Sequence, residues 1–280
     1  MLQIGVHHTL EILRLTPPGL FLGDGDKENE VLLPNKYIPA EYEIGDKLRV
    51  FVYLDFDDRV VATTLTPKIE LGKFAMLEMK DNSKFGAFMD WGLEKDLFVP
   101  FSEQMQRMRI GGMYLIHLYF DENSGRLVGS QKVRRFLDNT VIDVEEGDEV
   151  DIIIADNTLL GVNVIVNGKY AGLVYHDEVY KDLETGMRMS AFIKKIRPGN
   201  KLDIALNKQG FVLVEEFANE LYEKLKKEGG FLPLNDKSEP EKIYSMLGVS
   251  KKVFKKAAGA LYRQKLILIE DNGIRLVAKS

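Results

Sequence analysis

Short runs of alternating apolar and polar residues, separated by turn residues, fill the first 210 positions of the chain. Residues 161–169 alternate in this way and end in an Asn-Gly pair, which is a strong short-range signal for a β-hairpin. Residues 147–154 are rich in β-branched side chains, and residues 85–92 repeat the hairpin pattern. No helical pattern longer than two turns interrupts these runs. The first 210 residues are therefore predicted to consist of short strands.

The strand pattern is internally repeated. The tripeptides at residues 44–46 and 53–55 are each matched at two of three positions 66 residues later, at 110–112 and 119–121, and an offset of 75 superposes several further glycines. Each unit holds about five strands in roughly 70 residues, which is typical of a small Greek-key barrel. Glycines that recur within strands are expected where a strand bends around a barrel corner.

The pattern becomes helical after Gly210. Apolar residues then follow i, i+3, i+4 spacing until Gly229-Gly230 ends the helix. A capping box at Ser238 and a cap at Ser250 are expected to open two further helices, and a strand, a turn and a strand follow them. These elements, which together predict a winged helix, are placed at residues 211–228, 238–247, 251–265 and 266–277.

Composition bounds the class of protein. Hydrophobic residues make up 45% of the chain and charged residues 29%, as in ordinary globular proteins. No apolar run is long enough to span a membrane and no secretion signal is recognised, so we expect a cytoplasmic protein without a membrane partner. The absence of cysteine excludes disulfides, thiolate metal sites and cysteine nucleophiles.

Charge limits how nucleic acid could be bound. The net charge is −5, and only residues 211–280 are basic, with 13 Lys and Arg against 10 Asp and Glu. Residues 1–68 hold 7 Lys and Arg against 11 Asp and Glu. Residues 69–140 hold 10 of each class, and residues 141–210 hold 8 Lys and Arg against 12 Asp and Glu. Affinity for a polyanion in those segments must therefore rest on stacking and on local basic positions.

Particular motifs resemble a known family. Residues 85–88, Phe-Gly-Ala-Phe, and residues 97–103 resemble two successive strands of the S1 domain, and residues 44–50 resemble a later one. Three such units before a winged helix are similar to the conserved virulence factor B (CvfB) family of bacteria, and the similarity covers essentially the whole chain. The resemblance implies RNA binding and regulation of gene expression, with no catalytic residues. It implies a mainly β fold of three tandem S1-like OB-fold barrels, at 1–67, 68–140 and 141–209, and a small α/β winged helix-turn-helix domain at 210–280.

The resemblance also implies binding residues. The RNA face of an S1 domain carries two phenylalanines, a histidine, an aspartate and a basic residue. The histidine position holds Pro34, Pro100 and Tyr175 in the three units, so no unit is complete and a composite surface is expected. The residues carried over are Phe21, Asp55 and Arg59 in unit one, Phe85, Phe88, Asp121 and Arg126 in unit two, and Tyr175, Lys194, Lys195 and Arg197 in unit three.

Some of these aromatic residues have a second interpretation. Half of the strand residues of a barrel point inward, so each phenylalanine could belong to the core. Phe85 and Phe88 differ in parity, and a bulge at Gly86 would be needed to expose both on one face. Trp91 could stack on a base or cover a barrel end.

The last predicted helix is rich in lysine. Such side chains favour phosphate contacts over base recognition. A solvated surface and a protein-docking face are the alternatives. The candidate contacts are Lys251, Lys252, Lys255, Lys256 and Arg263.

Patterns for catalysis and metal binding are missing. The four histidines form no metal-binding motif, no phosphate-binding glycine loop is present, and no serine triad is evident. The acidic tip at residues 55–58 suits a hairpin turn better than a cation site. We therefore expect a non-enzymatic protein without a cofactor or metal.

The leading hypothesis is a regulator that binds single-stranded RNA through several barrels, aided by the basic winged helix. One alternative is a transcription regulator that binds DNA through the winged helix. The other is a scaffold of a ribosome or RNA-degradation assembly.

Overall fold

A computed structural model describes residues 2–26, 29–176, 179, 182–206, 209–249 and 251–277, with backbone alone at 209–216 and 252. The described residues form three five-stranded β-sheets in succession, each with the strand order of an OB barrel, and a C-terminal domain of helices and short strands. The predicted fold class is confirmed. We call the three sheets barrels one, two and three.

Barrel one is a closed barrel in which the strands follow the order β1-β2-β3-β5-β4. Its third and fifth strands are parallel and the other neighbours are antiparallel. A single 3₁₀ turn, Asn35–Tyr37, follows the third strand. The strands are β1 (Val6–Thr16), β2 (Gly19–Gly23), β3 (Val31–Pro34), β4 (Lys47–Leu54) and β5 (Val60–Thr63).

Barrels two and three repeat this order. Barrel three is closed by hydrogen bonds, whereas barrel two has no hydrogen-bonded ladder between its third and fifth strands. These two strands nevertheless pack closely, since a Cβ on Gly129 would lie 2.8 Å from the Val99 side chain. The strands of barrel two are β6 (Phe74–Asn82), β7 (Gly86–Asp90), β8 (Leu97–Pro100), β9 (Met113–Asp121) and β10 (Arg126–Ser130). Those of barrel three are β11 (Glu149–Asn157), β12 (Gly161–Val166), β13 (Tyr170–Tyr175), β14 (Arg188–Arg197) and β15 (Lys201–Ala205).

The first strand of every barrel carries a bulge. The register of β1 shifts at Leu13, that of β6 at Lys80 and that of β11 at Ala155. A bulge increases the local twist and bends the strand, as a small closed barrel requires. In barrel two the extra residue therefore lies in β6, opposite β7, and not at Gly86, where a bulge was considered as a way to expose both phenylalanines.

A shared turn joins the first two strands of each barrel. The hydroxyl groups of Thr16, Ser83 and Thr158 donate to the carbonyl groups of Gly19, Gly86 and Gly161, at 2.7, 3.1 and 2.8 Å. Side-chain hydroxyls stabilise turns in this way. Glycine is required at the end of the turn because a Cβ at position 19 or 86 would collide with a carbonyl oxygen of the next strand.

Trp91 joins the cores of barrels one and two. Its side chain is 3% exposed, and its ring packs edge-on against Phe51 and Tyr53 of β4, with centroid distances of 5.8 and 6.4 Å. The indole N–H donates to the carbonyl of Lys95 at 2.5 Å. Of the two interpretations of this residue, covering a barrel end is therefore the correct one.

The C-terminal domain has the element order of a winged helix. Its helices and strands enclose one apolar core that includes Leu221, Phe254 and Ile274. The elements are α1 (Gln209–Lys227), β16 (Phe231–Leu232), α2 (Pro240–Leu247), α3 (Lys251–Arg263), β17 (Ile267–Glu270) and β18 (Gly273–Leu276), with the strand order β16-β18-β17.

The expected capping box is wrong in detail. Helix α2 is preceded by Glu239, whose side chain makes no capping hydrogen bond, and it begins with Pro240. Proline suits the first helical position because its missing N–H would be unpaired there. The Ser238 hydroxyl instead accepts a hydrogen bond from the N–H of Asn235, at 2.9 Å. The expected cap at Ser250 lies outside the described residues.

The described chain divides into two compact units. The first comprises Met1–Val141, Ile152–Ala171 and Lys181–Met189, and the second comprises the remaining segments, so the boundary runs through barrel three. The division into four domains at residues 67, 140 and 209 stays a prediction. No helix among the described residues is long and apolar enough to cross a membrane.

The burial of Trp91 predicts a large effect on stability. Trp91→Ala removes a side chain that packs in both cores and should lower the free energy of unfolding of the first two barrels by about 3–5 kcal/mol. A urea titration followed by far-UV circular dichroism measures the change. Phe101→Ala, which removes an exposed ring of barrel two, is the control and should shift unfolding by less than about 0.5 kcal/mol. Equal effects of the two substitutions would contradict the role of Trp91.

Candidate nucleic-acid interface

A groove of about 900 Å³ crosses one face of barrel two. Its floor comes from β7, β8, β9 and β10, and one wall comes from Leu54 and Phe56, at the end of β4 and in the turn that follows. Both barrels belong to the first compact unit. We call this feature the aromatic groove because Phe56, Phe85, Phe88, Phe98 and Tyr119 line it.

The two predicted phenylalanines of barrel two both line the aromatic groove. Phe85 is 64% exposed and precedes β7, so the alternation of strand side chains does not apply to it. Phe88 is half-buried within β7 and lies directly opposite Phe98 of β8, with a ring-centroid distance of 5.4 Å. Both rings therefore line one groove without a bulge between them.

Sequence reasoning missed three aromatic residues of the groove. Phe98 lies two positions before Pro100, and Tyr119 lies two positions before Asp121. Residues two apart on a strand share a face, so the signal for these two was present. Phe56 lies on a hairpin of barrel one, and no local pattern assigns it to a groove on barrel two.

The basic side chains of the groove are paired with carboxylates. Arg126 forms an ion pair with Asp58 of the β4–β5 turn, and Lys95 binds the same carboxylate at 3.0 Å. These hydrogen bonds hold the pKa of Asp58 below its usual range. Asp121 accepts hydrogen bonds from the hydroxyl and N–H of Ser124, at 2.6 and 3.1 Å, which lower its pKa. Asp121 and Arg126 thus have separate partners.

The candidates of barrel one lie outside the aromatic groove. Phe21 is half-buried, and the guanidinium of Arg14 covers its ring at 4.4 Å from the centroid. Arg59 binds Asp55 at 2.7 Å and Asp57 at 2.9 Å. These contacts stabilise the β4–β5 turn.

The candidates of barrel three have other surroundings. Tyr175 is half-buried, with the Arg197 guanidinium 5.8 Å from its ring centroid, and Arg197 also donates to Asp203 at 2.9 Å. Lys195 is exposed and Lys194 is half-buried. Leu160, which occupies the position of Phe85 in this barrel, is 60% exposed.

The third helix of the winged helix presents a basic face. Lys255, Lys256 and Arg263 are exposed and Lys251 is half-buried, while the Lys252 side chain lies outside the described part. Among the described residues, no carboxylate lies within ion-pair distance of Lys255, Lys256 or Arg263. Residues 251–269 contain no aspartate or glutamate. Phosphate groups can therefore approach Lys255, Lys256 and Arg263 without displacing an ion pair formed among the described residues.

The described residues contain no cluster of histidines and carboxylates able to hold a metal ion. The carboxylates of the β4–β5 turn bind Lys95, Arg126 and Arg59 instead.

Strand β9 contains a buried histidine, His117. The His117 ring packs between Phe74 and Phe136, with centroid distances of 4.4 and 4.0 Å, and its Nδ1 has no hydrogen-bond partner among the described residues. The pKa of His117 is lowered to about 4, mainly by burial and to a smaller extent by the nearby charge of Arg135, which together outweigh a hydrogen bond with the Lys73 backbone that raises it. His117 is therefore neutral at pH 7 and contributes to packing.

Two family models match parts of the chain. Residues 4–65 match the S1 domain, and residues 219–276 match the CvfB-like winged helix domain. The resemblance to the conserved virulence factor B family is confirmed. The S1 match falls on barrel one, which retains fewer of the family's aromatic positions than barrel two. S1 and winged-helix domains support binding to nucleic acid, and neither is an enzyme family.

Relatives align with nearly the whole chain. The uncharacterized protein YitL of Bacillus subtilis is 25% identical and covers 96% of this chain and 92% of its own length. Conserved virulence factor B of Staphylococcus saprophyticus is 25% identical over 85% of this chain and 82% of its own. A crystal structure of a multidomain protein with nucleic acid binding domains, from Streptococcus pneumoniae, is 23% identical, with a TM-score of 0.40 and 98% coverage of both chains.

The low pKa of His117 predicts a pH-dependent stability. The unfolded chain takes up a proton at His117 near pH 6.5, whereas the folded chain does so only near pH 4. Stability from this group is fully present above pH 6.5 and is lost as the pH falls toward 4, by up to roughly 3 kcal/mol.

Urea unfolding at pH 7 and pH 5 tests this dependence. His117→Phe keeps an aromatic ring in the cluster and should reduce the loss of stability between the two pH values. His8→Gln changes a half-buried histidine of β1 outside this cluster and should leave the loss unchanged. A full loss in His117→Phe would show that other groups are responsible.

Proposed function

We propose that the chain binds single-stranded RNA in the aromatic groove by base stacking and regulates gene expression after transcription, without enzymatic activity. The observation that carries the proposal is the set of aromatic rings lining one groove, where Phe85 is 64% exposed beside the closely spaced Phe88 and Phe98. Exposed rings of this kind stack on unpaired bases, while the bases of a duplex already stack on one another.

The electrostatics of the groove favour stacking over phosphate contacts. Arg126 and Lys95 already bind Asp58, and Asp81, Glu94 and Asp96 also line the groove. A phosphate would have to replace an existing ion pair, whereas a base needs only the face of a ring. The preference for RNA over single-stranded DNA rests on the resemblance to the S1 family.

The winged helix adds phosphate contacts in this proposal. The side chains of Lys255, Lys256 and Arg263 are exposed and form no ion pair with another described residue, so they suit the sugar-phosphate backbone of either nucleic acid. The same face supports a second candidate function, the binding of duplex DNA with α3 in the major groove. Cytoplasmic location is part of the first proposal, since RNA regulators of this kind act there.

Stacking predicts which variants lose affinity. Phe85→Ala and Phe88→Ala should each weaken binding to a labelled single-stranded RNA by about 5- to 150-fold, because one base–aromatic stack contributes about 1–3 kcal/mol. Fluorescence anisotropy measures the dissociation constants, with Phe101→Ala as a control outside the groove. Tyr175→Ala measures the contribution of barrel three separately. Stronger binding to duplex DNA than to single-stranded RNA of the same sequence would contradict the proposal.

Phosphate contacts predict a salt dependence that α3 controls. Each phosphate contact with a single strand contributes about 0.7 to the slope of log affinity against log salt concentration. Lys255→Ala with Lys256→Ala removes two such contacts and should therefore reduce the slope by about 1.4. The double variant Lys47→Ala with Lys73→Ala removes the same charge from exposed barrel positions and should leave the slope nearly unchanged. Equal effects would mean that net charge alone determines the affinity.

A further inference from the structure

The tip of the β4–β5 hairpin carries an aromatic residue that the barrel itself does not need. Phe56 is 70% exposed, and it stands among the charged residues Asp55, Asp57 and Asp58. Hairpin tips are ordinarily polar because they lie in water. The corresponding position of barrel two, 66 residues later, holds the exposed residue Glu122. The hairpin can therefore form with a charged residue at this position.

Hydrogen bonds within the turn hold the tip in one conformation. The Asp55 carboxylate accepts from the N–H groups of Asp57 and Arg59, at 2.9 and 3.0 Å, and from the Arg59 guanidinium. The N–H of Asp58 donates to the carbonyl of Asp55 at 3.1 Å, and Asp58 has a left-handed φ of 60°. These hydrogen bonds restrict the backbone of the turn, so the position of Phe56 is fixed.

Three contacts attach the same tip to barrel two. Lys95 donates to the backbone carbonyl of Asp55 at 2.5 Å and to the Asp58 carboxylate at 3.0 Å. Arg126, the first residue of β10, donates to the other oxygen of that carboxylate. Phe56 is thereby held at the wall of the aromatic groove, whose floor carries Phe88.

We propose that Phe56 is a base-stacking residue of the aromatic groove, contributed by barrel one to a nucleic-acid site built mainly by barrel two. The ligand it contacts is an unpaired nucleobase of single-stranded RNA. A groove of about 900 Å³ lies at the upper end of the range of roughly 300–1,000 Å³ found for small-molecule sites, so it has room for more than one base. This inference rests on the proposed function and extends it to a residue outside the S1 motif.

Substitutions of Phe56 separate stacking from general apolar contact. Phe56→Ala and Phe56→Leu should both weaken binding of a labelled short oligouridylate RNA by about 5- to 150-fold, while Phe56→Tyr should restore it. Leucine keeps an apolar surface but lacks an aromatic face. Ile44→Ala removes another exposed apolar side chain of barrel one, outside the groove, and should have no effect. Circular dichroism of each variant checks that the barrels are folded.

A tryptophan at position 56 gives a direct readout. The chain has one tryptophan, Trp91, which is 3% exposed. Phe56→Trp adds an exposed indole, and its fluorescence should be quenched and shifted when oligouridylate is bound. In the wild-type protein the buried Trp91 is the sole tryptophan, and the tryptophan fluorescence should change much less.

The outcomes distinguish the inference from the function on which it rests. If Phe85→Ala weakens RNA binding and Phe56→Ala does not, the aromatic groove binds RNA and the role of Phe56 is wrong. If Phe56→Leu binds as tightly as wild type, the contact is apolar without stacking, and the inference is likewise wrong. If wild-type protein does not bind oligouridylate or any other single-stranded RNA, both proposals are wrong.

Discussion

The packing of Trp91 is the constraint on which the first two barrels depend. A residue from the loop after β7 is buried against Phe51 and Tyr53 of the preceding barrel, so the two barrels share one apolar cluster. The same residue is tied by backbone bonds, since its carbonyl accepts from the N–H of Lys68 at 2.7 Å. A shared core resists relative movement because separating it would expose apolar surface to water. The floor of the aromatic groove, in barrel two, and its wall, in barrel one, therefore keep their spacing.

Lys95 connects this core to the groove. Its carbonyl accepts the indole N–H of Trp91, and its side chain binds the tip of the β4–β5 hairpin. One residue thus links the buried contact between the barrels to an exposed contact at the groove wall. The exposed ion pair alone would contribute little to stability. The position of this ion pair matters more than its energy. It fixes the direction of the β4–β5 turn, and the strands that lead into this turn are already held by the core.

The three barrels share a backbone and differ in their surfaces. The bulge in the first strand and the hydroxyl-to-glycine turn recur in all three, at Thr16, Ser83 and Thr158 for the turn. The bulge and the turn are needed to form a small barrel. The residue types at these positions are therefore constrained by the backbone conformation. The residue before the turn glycine is free of that requirement, and it is Pro18, Phe85 or Leu160.

The contrast between a shared backbone and different surfaces explains how much of the structure could be predicted from the sequence. Alternation, recurring glycines and helical spacing are local signals. They were sufficient to predict repeated units of about five strands and the winged helix, while the OB fold was implied by the resemblance to the S1 domain. Phe98 and Tyr119 followed from the same period of two but were overlooked. Phe56 could not be predicted, because its place in the groove depends on contacts between Asp58 and residues 37 and 68 positions away. Trp91 was ambiguous for the same reason, since its partners Phe51 and Tyr53 lie in another barrel.

The distribution of charge makes nucleic-acid binding compatible with a net charge of −5. Repulsion between an acidic surface and phosphates is screened over about 8–10 Å at physiological salt. The attraction between a base and an aromatic face acts at contact and needs no net charge. In the aromatic groove, carboxylates neutralise Arg126 and Lys95, so the rings offer the principal contact surface. On α3, Lys255, Lys256 and Arg263 form no ion pair with another described residue, so attraction to phosphate is the stronger interaction there. In the proposed function, bases are held by stacking in the aromatic groove, while the salt dependence is determined by a different surface.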